Sequence, residues 1–303
     1  MEPVMIVPRS RPQSCDVSGH YDELDRVYRE VWGEHVHHGY WRSGDERTSE
    51  AVEALVDLVG ERMEPEAGQH LCDIGCGYGA TAERLAASYD VEVTGLTISN
   101  EQYARAAQRT GSVRFLLRDW LYNDLAERSF DGAYAIESTE HMSDKQQCFD
   151  EACRVIKPGG KLVVCAWLAS ESAHPWEVRH LLEPICREGQ LPGMGTREEY
   201  VDFAERAGFE LLSFEDSSRQ VRRTWDICLR RLMKRLATDS SYRKLVTSSE
   251  TRNRSFALSL PRLMLAYRTG AMRYGLFKFT RPGGEPAVRG VSEPELQKEA
   301  PCA

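Results

Sequence analysis

A histidine and two glutamates lie within the segment ESTEH at 137–141 and are the residues best suited to proton-transfer or charge-stabilising chemistry. The imidazole of His141 titrates near neutral pH, which suits a general base for a hydroxyl or an amine. The carboxylates of Glu137 and Glu140 can instead stabilise a developing positive charge. Glu137 and His141 share one face if a helical turn begins there. The alternative is that Glu137 hydrogen-bonds a ligand and His141 caps the following helix.

A glycine-rich segment, HLCDIGCGYG at 70–79, indicates a backbone that approaches a ligand closely. Gly75 and Gly77 permit a tight turn and leave no side chain to hold a ligand away. A dinucleotide-binding loop requires the spacing GxGxxG, whereas this segment has GxGxG. An uncharged or cationic ligand, with Asp73 beneath it, therefore fits better than a phosphate.

Two further clusters each allow two interpretations. His35, His37 and His38 could be mistaken for a metal site, but the sequence suggests no carboxylate or cysteine partners. We therefore predict no metal and interpret these histidines as a ligand-capping loop. The second cluster is basic, and we interpret it as a solvated helical face. The alternative is that it binds an anionic group of the substrate, such as a diphosphate. The cluster comprises Arg219, Arg222, Arg223, Arg230, Arg231, Lys234, Arg235, Arg243 and Lys244.

The composition narrows the class of protein. The chain has 303 residues and a formal net charge of -8, which argues against a nucleic-acid-binding protein. No apolar run reaches the length of about 18 residues that a membrane-spanning helix needs. The nine cysteines are scattered and form no CxxC pair, as is typical of reduced thiols in a cytoplasmic protein.

The pattern of apolar residues predicts alternating strands and helices. Strands are predicted at 70–75, 91–98, 113–119, 130–138, 161–168, 209–216 and 273–281, and helices at 80–89, 100–110, 145–156 and 197–208. The continuous apolar runs indicate an α/β fold whose mainly parallel sheet is covered by helices on both faces.

Segment boundaries follow from the same pattern. We predict a disordered tail, cap helices, a core in two pieces, a helical insertion and a flexible C-terminal tail, at 1–18, 19–65, 66–216 with 272–281, 217–271 and 282–303. The insertion at 217–271 is interpreted as a lid over the active site. An oligomerisation arm, which would make the chain a homo-oligomer, is the alternative.

The motifs DIGCGYG, GLTISNEQ, RDW, AIESTEHM and VIKPGGKL resemble those of class I S-adenosylmethionine-dependent methyltransferases in order and spacing. The resemblance covers roughly residues 20–215 and the last strand. It implies a Rossmann-like, seven-stranded mixed sheet that ends in an antiparallel hairpin, with an N-terminal helical cap and a helical lid before the last strand. It also implies S-adenosylmethionine as the cofactor.

The resemblance also assigns residues to this cofactor. Asp73 would orient the glycine loop and accept a hydrogen bond from the ammonium side of the cofactor. Gly75 and Gly77 would lie against its methionine and ribose portions. Most members place an acidic residue on the ribose, but TISNEQ resembles the subgroup of cyclopropane-fatty-acid synthases and sterol methyltransferases, which would use Thr97 and Gln102.

The adenine end is assigned in the same way. Asp119 would accept a hydrogen bond from the adenine amino group, and Trp120 would cover the ring, with core packing as the alternative for Trp120. Ile136, at the end of the fourth predicted strand, is also expected to contact the cofactor.

The N-terminal segment YDELDRVYREVWGEHVHHGYW, at 21–41, resembles the corresponding region of γ-tocopherol methyltransferases and related natural-product enzymes. The later ESTEHMSDK supports this grouping, which extends to sterol C-methyltransferases. The segment would fold as a helix and a loop over the cofactor. Tyr21 would lie near the sulfonium, and the loop from His37 to Tyr40 would close over the methionine end.

Aromatic residues are concentrated where the acceptor is expected, at Trp32, Tyr40, Trp41, Trp167 and Trp176. We therefore hypothesise methyl transfer to a small hydrophobic natural product, with C-methylation of an isoprenoid or aromatic carbon as the first interpretation. O- or N-methylation of a phenolic, sugar or alkaloid acceptor is the alternative. A sugar acceptor is less favoured within it, because relatives that methylate sugars carry His and Asp at the positions of Glu140 and Trp167. Cyclopropane formation ranks lower because residues 136–142 contain no cysteine, and a non-enzymatic cofactor sensor is the remaining alternative.

Overall fold

The computed structural model describes residues 5–248 and 255–283. The strands are β1 (His70–Ile74), β2 (Glu92–Thr97), β3 (Val113–Leu117), β4 (Phe130–Ile136), β5 (Ile156–Ala169), β6 (Glu210–Asp216) and β7 (Met272–Thr280). They form one seven-stranded sheet in the order β3-β2-β1-β4-β5-β7-β6. Strands β1 to β5 pair in parallel, whereas β7 runs antiparallel to both β5 and β6. The predicted mixed sheet with a final antiparallel hairpin is confirmed.

Helices flank this sheet and precede it. In chain order they are α1 (Ser14–Glu23), α2 (Asp25–Val31), α3 (Thr48–Met63), α4 (Ala80–Tyr89), α5 (Asn100–Ala106), α6 (Lys145–Val155), α7 (Pro175–Glu177), α8 (Glu183–Glu188), α9 (Arg197–Ala207), α10 (Ser218–Val221), α11 (Arg223–Thr238), α12 (Ser240–Thr247) and α13 (Phe256–Thr269). Short 3-10 turns lie at Trp120–Tyr122 and Thr139–His141, and a π-helical turn lies at Val178–Leu182. Within the described ranges no helix is both long and apolar enough to cross a membrane.

Both faces of the sheet are buried. Val163 of β5 packs into one hydrophobic cluster with Leu55 of α3, and its neighbour Leu162 packs into a second cluster with Phe149 of α6. Successive side chains of a strand point to opposite faces, so a strand covered on both sides needs apolar residues at every position. This explains the continuous apolar runs and confirms the predicted helical cover.

One strand begins earlier than predicted. β5 starts at Ile156, directly after α6, rather than at 161. Ile156 has extended backbone angles and pairs with Phe130 of β4. Residues 157–160, which were predicted to stop the helix at 145–156, are therefore an irregular first part of the strand.

The N-terminal segment is ordered where it is described. Residues 14–18 belong to α1 rather than to the disordered tail predicted for 1–18, and Ile6 pairs through its backbone with Met194. Hydrogen bonds to the start of α5 hold α1 in place. Asp22 accepts from the Ser99 hydroxyl at 2.5 Å and from the amide of Glu101 at 3.2 Å. Short polar helices depend on such tertiary contacts. Of the predicted tail at 282–303, residues from 284 onward lie outside the described ranges.

Candidate active site

A cleft with about 720 Å³ of empty space, part of it open to solvent, lies at the carboxyl ends of the parallel strands, where open α/β sheets bind their ligands. We call it the donor cavity. Its lining includes ten of the residues predicted for the site, namely Tyr21, Gly75, Gly77, Thr97, Gln102, Asp119, Trp120, Ile136, Glu137 and His141. Residues that are up to 120 positions apart in the chain thus meet at one crevice.

The glycine loop shapes the floor of the donor cavity. Gly75 has φ +82°, and a Cβ there would lie 2.4 Å from the Cβ of Ser138. Gly77 has φ +54°, and a Cβ there would meet none of the described atoms within 4 Å. Gly75 is therefore required for packing, whereas Gly77 leaves space on the ligand side of the loop.

A smaller cavity of about 340 Å³ continues from the same loop and is lined by Asp73, His37 and Thr81. Asp73 is buried, and its Oδ2 atom makes no hydrogen bond of ordinary length among the described residues, although the nearby Tyr134 hydroxyl acts on the same carboxyl. Burial raises the pKa of Asp73 to about 7. An ammonium group beside this carboxylate would supply the missing partner, so the site fits the predicted methionine end of the cofactor.

The capping loop is only partly as predicted. His37 Nδ1 lies 2.8 Å from the His38 carbonyl oxygen, and burial lowers the pKa of His37, so the ring is neutral. Tyr40 instead turns away from both cavities, and its hydroxyl donates to Glu215 at 3.0 Å. The Tyr40 amide bonds the carbonyl of Ala51, which holds the chain against α3. Tyr40 therefore lines neither cavity, and its position gives no support to the predicted contact with the cofactor.

Polar groups line the other end of the donor cavity. The Thr97 hydroxyl donates to Gln102 Oε1 at 2.8 Å, and both residues are buried at the end of β2 and the start of α5. Asp119 accepts from the Ser14 hydroxyl at 2.6 Å. Trp120 lines the cavity, but most of its ring packs in the core, where Nε1 donates to the Cys148 carbonyl.

A second cavity of about 460 Å³ adjoins the first and is called here the acceptor cavity. It is lined by Tyr21, Tyr28, Trp32, Val36, Glu137, Glu140, His141, Trp167, Gly189, Leu191, Trp225 and Phe256. Four of these residues, Tyr21, Val36, Glu137 and His141, also line the donor cavity. They form the boundary at which groups bound in the two cavities would meet.

Aromatic rings make up much of the acceptor cavity, but not the whole predicted set. Of the five aromatic residues expected near the acceptor, only Trp32 and Trp167 line it. Trp176 is 44% exposed instead. Tyr28, Trp225 and Phe256 also line this cavity but were not predicted from the sequence. Trp225 could have been found, because the basic residues of α11 imply that the apolar stripe on the opposite side faces inward.

The basic cluster of the insertion has structural partners. Arg231 donates to the Val31 carbonyl at 2.7 Å, and Arg235 pairs with Glu30 at 3.2 Å. These contacts tie α11 to α2. They favour the interpretation as a helical face over the alternative of a diphosphate site.

The carboxylate of Glu137 is held at the end of β4 by several donors. Oε1 accepts from the His38 amide at 2.7 Å and from the Tyr274 hydroxyl at 2.9 Å, and Oε2 accepts from Trp167 Nε1 at 2.9 Å. Despite burial, the side chain of His38 lowers the pKa of Glu137 to about 2. Glu137 is thus a fixed anion rather than a proton-accepting base.

Glu140 is also buried but differs in its environment. Its Oε1 accepts from the Trp167 amide at 2.5 Å, and its Oε2 accepts from the Thr139 hydroxyl at 3.2 Å. Burial raises the pKa of Glu140. Lys145, which donates to the Thr139 and Glu140 carbonyls, has its pKa lowered by burial. Lys145 therefore braces the turn that carries His141.

His141 has a defined hydrogen-bonding pattern. Its Nδ1 lies 3.3 Å from the Gln190 carbonyl oxygen, and its Nε2 lies 2.8 Å from the Tyr21 hydroxyl. A carbonyl can only accept, so Nδ1 carries the proton and the Nε2 lone pair accepts from Tyr21. Burial lowers the pKa of His141 to about 3, which keeps the ring neutral. The lone pair therefore lies at the boundary of the two cavities.

Comparisons with known proteins agree with this architecture. Residues 9–271 match the family described as mycolic acid cyclopropane synthetase. The chain is 33% identical over 221 residues to O-methyltransferase resE of Aspergillus sclerotiorum, covering 70% of this chain and 82% of that protein. It is 26% identical over 288 residues to the chloroplastic tocopherol O-methyltransferase of Arabidopsis thaliana, covering 86% and 80%.

A solved structure extends the likeness over nearly the whole chain. The structure of the [4+2]-cyclase SpnF superimposes with a TM-score of 0.78 at 27% identity, covering 92% of this chain and 99% of that one. The residues of the donor cavity fit the predicted cofactor, S-adenosylmethionine, and the family confirms it. The chain therefore belongs to the mycolic acid cyclopropane synthetase family of class I S-adenosylmethionine-dependent methyltransferases.

Proposed function

We propose that this methyltransferase acts on a hydroxyl group of a hydrophobic, ring-bearing natural product and that His141 is the general base. The observation that carries the proposal is the position of the Nε2 lone pair on the boundary of the donor and acceptor cavities. The O-methyltransferase names of the relatives from Aspergillus sclerotiorum and Arabidopsis thaliana support the same reaction type.

The proton chemistry suits a neutral imidazole. Bound S-adenosylmethionine supplies an electrophilic methyl group. An acceptor hydroxyl that takes the place of the Tyr21 hydroxyl donates to Nε2 of His141. As the acceptor oxygen forms its new bond to carbon, its proton becomes strongly acidic, so even an imidazole of lowered pKa accepts it. Glu137, which stays ionised, then stabilises the imidazolium electrostatically.

The acceptor cavity supports an apolar acceptor. Trp225 contacts Trp32 and Trp167 edge to face, with ring centroids 6.0 and 5.3 Å apart. Phe256 packs against Tyr28 at 5.5 Å. Trp225 and Phe256 belong to the segment 217–271, so this segment acts as the lid that selects the acceptor, and it excludes water from the reacting groups.

C-methylation, the first hypothesis from the sequence, is retained as the second candidate. The observation that favours it is the same group of aromatic rings, whose faces can stabilise a carbocation beside the ionised Glu137. In that reaction a proton leaves carbon after the methyl group has been added, and His141 is the acceptor for that proton as well.

Transfer of an isotope-labelled methyl group would decide between the two candidates. The purified protein is incubated with ¹³C-methyl-labelled cofactor and a panel of phenolic, macrolide, quinol and prenylated acceptors, and each product is examined by NMR. We expect the label on oxygen. A label on carbon would favour the second candidate, and cofactor binding without turnover on any acceptor would contradict both.

A further inference from the structure

The carbonyl that orients His141 lies just beyond the end of α8. The helix ends at Glu188, and Gly189, Gln190 and Leu191 follow. The amide of Leu191 bonds the Cys186 carbonyl at 2.7 Å, which gives this helix end the form of a Schellman motif. Its left-handed position is occupied by Gln190 rather than glycine, with φ +53°. A non-glycine residue in this conformation costs about 1 kcal/mol and persists only where the surroundings hold it.

An ion pair holds this helix end from the side of the lid. Arg262 of α13 donates through Nη1 to both carboxylate oxygens of Glu188, at 2.6 and 2.5 Å. The side chain of Glu188 is 3% exposed and that of Arg262 is 32% exposed. A charge-assisted contact to a buried carboxylate is strong. Arg187 is a second and more distant cation, with its Nη2 atom 3.7 Å from Oε1 of Glu188. The contact lies two residues from the Gln190 carbonyl.

We propose that the Glu188–Arg262 pair positions the base from the lid. The pair holds the Gln190 carbonyl against Nδ1 of His141. This contact keeps the Nε2 lone pair directed at the boundary of the cavities. The inference rests on the proposed function in naming His141 as the base. Its structural content, the control of the His141 tautomer by α13, stands independently of the methylated atom.

Several other groups act on the ring of His141. Tyr21 of α1 contacts Nε2, and the charges of His20, Lys145 and Glu137 act on the ring from α1, α6 and the end of β4. The Gln190 carbonyl is the acceptor at Nδ1, and it raises the pKa against the larger lowering by burial. A variant that releases this carbonyl alters the tautomer, whereas a variant that alters only distant charge does not.

The test reads the ring directly and needs no acceptor. The full chain is labelled with ¹⁵N-histidine, and His141 is identified among the eight histidines by its loss in His141→Gln. Long-range ¹H–¹⁵N spectra between pH 5 and 8 then report which ring nitrogen is protonated. In the wild-type protein we expect protonated Nδ1 and unprotonated Nε2 throughout. In Arg262→Ala we expect a mixture of tautomers and no rise in the pKa of His141, because the released Gln190 carbonyl is a group that raises it.

Matched variants separate this role from a general loss of structure. Arg268→Ala, on the same helix, removes an exposed pair with Asp226 at 3.6 Å and should leave the His141 spectrum unchanged. Arg262→Lys should restore the wild-type tautomer in part. Glu188→Gln keeps a side chain of the same shape and carries the test if Arg262→Ala does not fold. S-adenosylhomocysteine affinity, measured by calorimetry, should change less than about twofold in each folded variant, a small change on the free-energy scale.

The outcomes are distinct. An unchanged tautomer of His141 in Arg262→Ala or Glu188→Gln would overturn the proposed coupling. A methyl label found on carbon would overturn the proposed O-methylation while leaving the coupling intact. A changed tautomer together with lost cofactor binding would also count against it, because it would indicate a general disturbance of the site.

Discussion

Oε2 of Glu137 lies 2.9 Å from Nδ1 of His38, and Oε1 of the same carboxylate accepts from the His38 amide. One carboxylate at the end of β4 thus holds both the side chain and the backbone of a residue 99 positions earlier. The contact closes the N-terminal loop over the boundary between the donor and acceptor cavities. It makes Glu137 a determinant of the shape of the site, and its residue type alone did not indicate this.

Glu137→Gln is expected to destabilise the fold. An amide cannot accept at both ends, so one of the donors from His38, Trp167 or Tyr274 would face another donor in a buried position. We expect the free energy of unfolding to fall by about 3 kcal/mol, measured by urea denaturation. Glu61→Gln, which removes an exposed pair with Arg42, should cost less than about 0.5 kcal/mol. Equal stability of the two variants would contradict this account.

His141→Gln is expected to lower turnover and to spare cofactor binding. Loss of a general base reduces the rate by about 10²- to 10⁴-fold. The variant should still bind S-adenosylhomocysteine, because His141 lies at the edge of the donor cavity. Turnover is measured with the acceptor found in the labelling experiment, and His180→Gln, at an exposed position, is the control. A decrease smaller than about tenfold would argue against a role as base.

The two glycines of the cofactor loop should respond differently to alanine. Gly75→Ala forces a Cβ into Ser138 and should lower the thermal unfolding temperature clearly. Gly77→Ala adds a Cβ where the described residues leave space and should cost about 1 kcal/mol of backbone strain. It should nevertheless weaken S-adenosylhomocysteine binding, measured by calorimetry, because the methyl group enters the donor cavity. Unchanged affinity in a folded Gly77→Ala protein would be incompatible with a cofactor at this loop.

Cofactor affinity should depend on pH through Asp73. Burial raises the pKa of this carboxyl to about 7, so it is neutral below that pH and anionic above it. The anion is the form that attracts the ammonium group, so affinity for S-adenosylhomocysteine should increase from pH 5.5 to 8. Below the pKa the slope approaches about tenfold per pH unit for one linked proton.

The control for this titration is Asp73→Asn. It should bind more weakly at pH 8 and lose most of the pH dependence, because the amide does not titrate in this range. A wild-type pH profile that is flat, or that Asp73→Asn reproduces, would assign the ammonium contact to another residue.

The sheet and the cofactor residues could be predicted from the sequence for a physical reason. Parallel strands buried on both faces produce continuous apolar runs, such as the one around Val163, and the glycine loop lies where such a strand ends. The predicted helix at 197–208 ends at Gly208, whose φ of +102° only glycine adopts readily. These features depend on residues close together in the chain, so they can be predicted from the sequence without knowledge of distant contacts.

The features that were missed depend on distant contacts. α1 contains Gly19 and has little apolar periodicity, so its helix depends on partners such as Asp119 and Ser99. The positions of Tyr40 and Trp225 also depend on distant contacts: Tyr40 was predicted in the site and lies outside it, and Trp225 was not predicted and lies inside it. Tyr40 lies in the N-terminal segment predicted to cover the cofactor but bonds Glu215, whereas Trp225 lies in a polar segment but lines the acceptor cavity.

The segment 217–271 connects two neighbouring strands of the sheet, and this has a consequence for evolution and engineering. β6 and β7 are successive antiparallel neighbours, so this whole segment is the connection of one hairpin. Its ends leave the sheet side by side, where the Ser217 amide bonds the Tyr274 carbonyl at 2.9 Å. The entropic cost of closing a loop rises only slowly with its length. Under the proposed function, Trp225 and Phe256 of this connection contribute to the choice of acceptor. We therefore expect that the connection can be lengthened or replaced without shifting the register of the strands that hold the methyl donor.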